Sequence, residues 1–252
     1  MRYKLGKKPA RKGAVTFRFT SYFDRQKLPT PPLVFGHERI GTPWGMLAND
    51  VHRNCVFAGA AHEHMIWTHE GGATAKFRDS DVLADYGDVT GFDPAKPDTD
   101  QGTDMSQAAE YRRTTGIRGE NGKRHKIDAY VALRPGKVED AILAAYLMGA
   151  AGLGVQLPSS ALDQFDAHQP WTVVKRSETE GGHYIPLIGR NRNGHLLVVT
   201  WGRVHAMTPE FYARYCDESL AYLSLEILRD KVSPEGFDAI TLQEHLNALR
   251  HH

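Results

Sequence analysis

Apolar residues recur at helical spacing through the first two thirds of the chain. Residues 55–67 read Cys-Val-Phe-Ala-Gly-Ala-Ala-His-Glu-His-Met-Ile-Trp, which predicts a buried helix that ends near Gly71 and Gly72. Residues 105–115, which follow the N-cap candidate Asp104, and residues 137–149 predict two further helices. A shorter helix is predicted over 79–86. The front of the chain is therefore mainly helical.

The last third of the chain has the pattern of strands. Residues 183–188 and 195–201 are rich in β-formers and are joined by Asn-Arg-Asn-Gly, which is typical of a hairpin. Shorter strands are predicted over 155–157 and 219–225, a helix from Thr208 to Asp217, and an amphipathic helix over 239–249. Helices in front and strands behind predict an α+β fold rather than alternating βαβ units.

Composition narrows the class of protein. The 252 residues are 41% apolar and 24% charged with a net charge of +1, which argues against a protein that mainly coats nucleic acid or an anionic membrane. Two cysteines, Cys55 and Cys216, exclude a disulfide framework, and Cys216 is interpreted as a packing residue in the 208–217 helix. No apolar run is long enough to span a bilayer or to form a signal peptide. The expected location is the cytoplasm, with association with a virion or particle as the alternative.

Charge is distributed unevenly along the chain. Residues 1–40 form a basic, proline-containing arm, whereas 79–104 is rich in aspartate. The arm is interpreted as a solvated tail, or alternatively as a segment that binds a protein or nucleic acid. We expect three parts: the arm over 1–40, one domain over 41–228, and a C-terminal helical extension over 229–252. The basic residues at the start of the arm are Arg2, Lys4, Lys7, Lys8, Arg11, Lys12, Arg18, Arg25 and Lys27.

Cys55 stands at the predicted start of the apolar helix, directly after a polar loop. Free amides and the positive end of the helix stabilise a thiolate there, so we expect a lowered pKa. His183 follows two glycines and opens a strand far downstream. A cysteine with a histidine that is distant in sequence is the arrangement of thiol hydrolases, in which the imidazole accepts and then returns the proton.

The order of these features resembles the papain-like cysteine peptidase fold over residues 41–225. The resemblance rests on the run Gly-Thr-Pro-Trp-Gly-Met-Leu-Ala-Asn-Asp-Val-His-Arg-Asn-Cys over 41–55, on Gly182-His183, and on Val-Thr-Trp-Gly over 199–202. It implies a helical subdomain packed against an antiparallel sheet or half-barrel, with the site in the cleft between them. Residues 1–40 are too short and loop-like for the long inhibitory pro-segment of this family.

The resemblance also assigns roles. Cys55 is the expected nucleophile, His183 the base, and Asn49, six residues before Cys55, the amide donor to the oxyanion together with the Cys55 N–H. Asn54, Thr200 and Trp201 are the expected supporting residues of the site. The family's histidine-orienting Asn falls on Val199, which accepts no hydrogen bond, and strand alternation predicts that Thr200 points to the opposite face.

Two functions remain open at this point. The first is a hydrolase that cleaves a peptide, isopeptide or related amide bond through an acyl-enzyme. The second is a weak or inactive papain-fold module that serves as a structural or binding component, for example of a phage-like particle. The segments 87–104 and 118–127 are the expected walls of the cleft.

No metal or other cofactor is predicted. His62 and His64 are two residues apart and diverge by about 200° on a helix, so they do not form the His-Glu-x-x-His type of zinc site. These two histidines and the nearby His69 are interpreted as helix-surface or satisfied core residues. The acidic run 98–104 has only part of a calcium-loop pattern and is more simply a loop that caps the next helix.

Overall fold

The computed structural model describes residues 3–11, 13–19, 28–230 and 232–235. Six helices occur in this part of the chain: α1 (Cys55–Glu70), α2 (Asp79–Thr90), α3 (Met105–Thr114), α4 (Val138–Met148), α5 (Ser159–Asp166) and α6 (Pro209–Tyr215). Short 3₁₀ turns lie at Pro97–Thr99 and Leu225–Ile227. No helix within these described ranges is long and apolar enough to cross a membrane.

Seven strands form one antiparallel sheet in the order β4-β9-β5-β6-β7-β8, with β1 beside β6. Two short strands, β2 and β3, pair as a separate hairpin. The bounds are β1 (Phe35–Gly36), β2 (Ile117–Arg118), β3 (Arg124–His125), β4 (Ala129–Ala132), β5 (Ala151–Pro158), β6 (Thr179–Arg190), β7 (Leu196–Thr200), β8 (Arg203–Met207) and β9 (Cys216–Leu223). The predicted α+β class is confirmed.

The predicted elements are mostly present. The helices that begin at Cys55, Met105 and Val138 and the hairpin of β6 and β7 are confirmed, and the Asp104 side chain caps α3 by accepting from the Gln107 N–H. The helix from Thr208 is shorter than predicted, so the prediction that Cys216 is helical is wrong: this residue begins β9. The predicted helix over 239–249 and most of the C-terminal extension lie outside the described residues.

Helix α1 lies at the centre of the molecule. Fourteen of its 16 residues are buried, because its apolar side chains cover all faces and it is surrounded by protein. It packs closely on β6 where Gly59 meets Tyr184, since a Cβ at position 59 would lie 2.5 Å from the tyrosine ring. Cys55 lies one turn before Gly59 on the same side of the helix. The close approach therefore brings the start of α1 against β6.

The core has two parts on opposite faces of the sheet. Along β9, Leu220 and Tyr222 pack with α1, whereas Ala221 and Leu223 pack with α4 and α6. This alternation is the expected period of two in a sheet buried on both faces.

Candidate active site

Cys55 is the first residue of α1, and its thiol is buried. Asn54 precedes it as the N-cap residue but does not cap the helix through its side chain, because its Oδ1 accepts from the Asn49 Nδ2 at 3.3 Å. Its Nδ2 donates to the Leu47 carbonyl at 2.8 Å. Asn54 thus fastens the loop before the helix. This loop and the contact of α1 with β6 fix the position of the sulfur.

His183 lies on β6 and is held on two sides. Its Nε2 is 2.8 Å from the Thr200 Oγ1, and its ring stacks on the Trp201 ring with centroids 4.5 Å apart. The prediction that Thr200 points away from the histidine is wrong. Val199 accepts no hydrogen bond, but His183 still has an orienting side chain, which is that of Thr200. Val199 is buried in the apolar core next to α1.

The register of β6 and β7 explains why the predicted direction of the Thr200 side chain is wrong. Leu187 pairs with Val198, and the register shifts between Leu187 and Gly189, so that β6 carries one extra residue. Positions 196, 198 and 200 of β7 therefore share a face with positions 183, 185 and 187 of β6. A shift of one residue changes the face of every side chain in a strand, and the sequence does not reveal it.

Trp201 adopts an unusual backbone conformation at the end of β7. It has a φ of 43° and stands with Gly202 in the tight turn between β7 and β8, where Thr200 pairs with Arg203. A left-handed conformation is unfavourable for a bulky residue and persists only where the surroundings impose it. Here the indole ring is stacked between His183 and Tyr3.

Cys55, His183, Asn49, Thr200 and Trp201 line one small cavity of about 10 Å³. Within the described part of the chain, His183 Nδ1 and Trp201 Nε1 are buried and have no hydrogen-bond partner. Such groups are rare in folded proteins and each needs an explanation. The structure thus places the predicted nucleophile and the predicted base on the lining of the same cavity.

Burial keeps both groups neutral in this state. It raises the pKa of the Cys55 thiol to about 11, although the backbone N–H groups of Tyr184 and Gly6 oppose the rise. Burial also lowers the pKa of His183 to about 3. The expectation of a lowered thiol pKa is therefore wrong for the covered site, because removal from water disfavours the thiolate more than the helix start stabilises it.

Asn49 lines the cavity, but its amide is already engaged. Its Nδ2 donates to the His52 carbonyl at 3.2 Å and to the Asn54 Oδ1 at 3.3 Å. Both hydrogen bonds are long, so little is lost if the amide turns toward a bound ligand.

Residues 3–11, which we call the cleft segment, cover the thiol. Lys7 donates its N–H to the Gly182 carbonyl at 3.0 Å, and Lys8 donates to the Thr103 carbonyl at 2.9 Å. Thr103 in turn donates to the Gly6 carbonyl at 2.7 Å. The segment is therefore an extended chain bonded to both walls of the cleft, with Leu5, Gly6 and Lys7 buried.

The cleft walls are shaped for this close approach. A Cβ at Gly102 would lie 2.1 Å from the Gly6 oxygen, and one at Gly182 would lie 2.1 Å from the Lys7 oxygen. The interpretation of the arm as a solvated tail is wrong for this segment. A short segment, rather than a long pro-segment, occupies the cleft.

Of the two segments expected to form the cleft walls, one contacts the cleft segment and the other forms a separate hairpin. Gly102 and Thr103, at the end of the predicted 87–104 wall, contact the cleft segment. The 118–127 segment instead forms the hairpin of β2 and β3, where the Arg118 N–H donates to Asp85 of α2 and His125 contacts Glu226.

Among the described residues, His64, His125 and Glu226 place possible metal-ligand atoms within 4.8 Å of one another. Both imidazole Nδ1 atoms are hydrogen-bonded to the carboxylate, at 3.0 Å for His64 and 2.9 Å for His125, and Lys123 lies 3.2 Å from it. The Glu226 carboxylate is therefore already satisfied by these three side chains. Asp100 and Asp104 of the acidic run have separate partners, Tyr86 and Arg11.

Sequence comparison gives no relative, because no protein-family profile and no curated protein matches the chain. Solved structures match its fold. Xylellain, a cysteine protease from Xylella fastidiosa, has a TM-score of 0.68 at 11% identity over 88% of this chain and 97% of that one. Procathepsin B S9 from Trypanosoma congolense has a TM-score of 0.63 at 13% identity, over 88% and 86%.

The Carica candamarcensis cysteine protease CMS1MS2, in complex with E-64, has a TM-score of 0.57 at 12% identity over 77% of this chain and 99% of that one. At these identities the likeness concerns the fold. The predicted papain-like fold is confirmed.

Proposed function

We propose that this chain is a cysteine hydrolase that cleaves a peptide or related amide bond, and that the cleft segment holds it in a latent state. The observation that carries the proposal is the state of His183. Thr200 and Trp201 fix the ring, while Nδ1 is left without a partner in the cavity that holds the thiol of Cys55. An oriented base beside a nucleophile is the requirement of this chemistry.

The reaction begins when Cys55 attacks the substrate carbonyl and its proton passes to His183 Nδ1. The negative charge on the carbonyl oxygen is then stabilised by the Cys55 N–H at the start of α1 and by the Asn49 amide after it turns from Asn54. His183 protonates the leaving amine. A water molecule, deprotonated by the same nitrogen, hydrolyses the acyl-enzyme and releases the thiol.

Thr200 supports the base rather than reacting. The hydroxyl accepts a hydrogen bond from His183 Nε2–H, which leaves Nδ1 as the unprotonated nitrogen of the neutral ring, the one that can accept the thiol proton. A hydroxyl stabilises an imidazolium less than a carboxylate does, so we expect a slower enzyme than one with a charged orienter.

Displacement of the cleft segment activates the pair. Water then reaches the sulfur, and the burial that raises the pKa of Cys55 and lowers that of His183 is relieved. Proton transfer from thiol to imidazole becomes favourable. One of the structural neighbours named above is itself a procathepsin, which is consistent with a covered form.

A second candidate is an inactive module that uses the papain fold for binding. The raised pKa of the buried Cys55 thiol and the small size of the cavity favour it, because burial disfavours the thiolate in the described state. None of the three structures named above concerns a phage-like particle, so that part of the earlier hypothesis has no support.

The test uses an E-64-type epoxide, which reacts with an activated cysteine. The full chain carrying Lys7→Met, which weakens the hold of the cleft segment, is treated with the epoxide and digested for mass spectrometry. We expect an adduct on Cys55, faster labelling than in the wild type, and hydrolysis of fluorogenic peptides. Lys8→Met is the matched control, because the Lys8 side chain is exposed. If iodoacetamide alkylates Cys55 in the Lys7→Met chain, so that the thiol is accessible, but the chain shows neither epoxide labelling nor hydrolysis, the hydrolase is excluded and the binding module is favoured.

A further inference from the structure

The cleft segment inserts one buried cation into the wall of the cleft. The Lys7 side chain is fully buried, and its Nζ donates to both oxygens of Asp217, at 2.7 and 2.9 Å. Glu218 lies 3.8 Å from the same nitrogen. A buried ammonium group is tolerated only when it is paired, so these carboxylates hold the side chain in place.

The pocket is formed by shape as well as by charge. Gly154 of β5 leaves room for the stem of the lysine, since a Cβ there would lie 2.2 Å from the Lys7 Cε and 2.8 Å from the Met105 sulfur. The Gln156 Nε2 donates to the inner oxygen of Asp217 at 2.6 Å and fixes the carboxylate. A narrow apolar passage with an oriented acid at its end fits a long basic side chain.

Three neighbouring carboxylates, those of Asp217, Glu218 and Asp104, interact with cations of the cleft segment at this pocket. Burial raises the pKa of Glu218 to about 7, the Lys7 charge opposes the rise, and the neighbouring Asp104 and Asp217 add to it. Arg11 of the cleft segment pairs with Asp104 at 2.6 Å. When the segment leaves, these carboxylates lose the cations that now balance them. A cationic occupant is therefore favoured.

The proposed reaction assigns this pocket to one half of the cleft. The leaving amine takes its proton from His183, whose ring stacks on Trp201, and Tyr3 of the cleft segment stacks on the other face of that indole. The amine half of the cleft is thus the Trp201 side. Lys7 lies on the other side of Gly6, whose N–H contacts the sulfur, and so occupies the acyl half.

The segment itself is not in a position to be cleaved. Gly6 presents its N–H to the Cys55 sulfur, and its carbonyl oxygen is engaged by the Thr103 N–H at 2.7 Å. Because this oxygen is held by Thr103, the Gly6 carbonyl is not presented to the thiol for attack. Lys7 can therefore occupy the pocket of a substrate side chain without becoming a substrate.

We propose that Asp217, supported by Glu218 and Gln156, makes this chain select substrates with a lysine or arginine within two residues of the cleaved bond on its acyl side, in the pocket that Lys7 now fills. This inference rests on the proposed hydrolase activity. It adds to that activity a substrate class and the residue that determines it.

The experiment uses the full chain with Lys7→Met and fluorogenic peptides that carry Lys, Arg, Leu or Glu at each of the two acyl-side positions. We expect kcat/KM for the best basic peptide to exceed that of its leucine counterpart by about tenfold or more. Adding Asp217→Asn should remove this preference, because kcat/KM for the basic peptides falls to or below that of their leucine counterparts. A leucine preference, or a basic preference that survives Asp217→Asn, overturns the proposal while leaving the hydrolase intact.

A second arm does not depend on turnover. A free peptide that copies residues 3–11 is added to the Lys7→Met chain during alkylation of Cys55 with iodoacetamide, beside a peptide with methionine in place of the lysine at position 7. We expect the lysine peptide to slow alkylation about tenfold more than the methionine peptide does. Equal protection by the two peptides overturns the pocket, as does a Lys7→Met chain whose Cys55 stays as protected as in the wild type. Absence of hydrolysis with selective protection by the lysine peptide counts against the hydrolase alone.

Discussion

The two ends of helix α1 differ in the kind of buried polar groups that they hold. Toward its C-terminal half, Glu63 accepts from Arg112 at 2.5 Å and from the Tyr184 hydroxyl at 2.7 Å, and His64 is bonded to Glu226 at 3.0 Å. At its N-terminal end, Cys55 and His183 are equally buried, yet the described structure gives His183 Nδ1 no partner. Among the described residues, buried nitrogens without a hydrogen-bond partner occur at both ends, among them His64 Nε2 and two Arg112 nitrogens. The difference is one of charge: the C-terminal half holds a buried ion pair between Arg112 and Glu63, whereas the N-terminal end holds a nucleophile and a base that burial keeps neutral.

The difference separates residues that stabilise this fold from residues that position the candidate catalytic pair. Arg112 is held by charge and lies over the Tyr222 ring at 4.1 Å, so its removal disturbs the packing of several elements. Thr200 accepts a single side-chain hydrogen bond at the edge of the His183 ring, so its replacement disturbs the orientation of that ring more than the packing. We therefore expect substitutions at the C-terminal half to change stability and those at the N-terminal end to change activity.

The largest expected effect is on stability, at Arg112. Arg112→Met leaves the Glu63 carboxylate buried without its cation, which costs about 3–5 kcal/mol in the free energy of unfolding. Urea denaturation measures the loss. The double variant Glu63→Leu/Arg112→Met should be less destabilised than Arg112→Met alone. If the double variant is as unstable as the sum of the two single ones, the ion pair is not the source of the stability.

The next effect concerns activity, at Thr200. In the Lys7→Met chain, Thr200→Val leaves the His183 Nε2–H without an acceptor and should lower kcat by about tenfold to a hundredfold with little change in KM. Thr200→Ser keeps the hydroxyl and should restore most of kcat. Because Thr200 is a positioning residue, the pH profile of kcat should also shift in the valine variant. Equal rates for the valine and serine variants would contradict the orienting role.

A smaller effect is on the pH dependence of stability. The folded pKa of His183, about 3, lies below the ordinary value of 6.5, so the unfolded chain binds more protons as the pH falls below 6.5. Its contribution is fully present above pH 6.5 and is lost toward pH 3. Between pH 7 and 5, His183→Gln should lose about 1–2 kcal/mol less stability than the wild type, measured by urea denaturation at both values. Parallel losses in the two proteins would show that His183 titrates normally in the fold.

The local elements of this fold follow from the sequence, whereas their long-range contacts do not. The helix at Cys55 and the hairpin after His183 have clear periodicity and turn signals. Strand β8 and helix α5 are short and were missed, because their patterns are too brief to separate from loop. Whether a segment forms a helix or a strand depends mainly on residues close in sequence, so secondary structure is more predictable than long-range contacts.

In the candidate site, too, the residues can be predicted from the sequence, whereas their contacts cannot. Cys55 and His183 are recognisable from residue type and order, but the pairing of His183 with Thr200 depends on a register shift between β6 and β7. The contact of Lys7 with Asp217 joins residues 210 positions apart and has no local signal. A basic stretch at the N-terminus indicates an acidic partner, and here that partner is the chain's own cleft.

The central claim is that Cys55 and His183 form a reactive pair that the cleft segment keeps neutral. The most direct test is the rate of Cys55 alkylation by iodoacetamide between pH 5 and 10, in the wild type, in Lys7→Met and in Lys7→Met/His183→Ala. The account predicts slow alkylation of the wild type, which rises only at alkaline pH, and fast alkylation of Lys7→Met already near pH 6, lost again when His183 is removed. If Cys55 in the Lys7→Met chain instead titrates like a free thiol, near pH 8.5, and His183→Ala changes nothing, the pair is not a catalytic one.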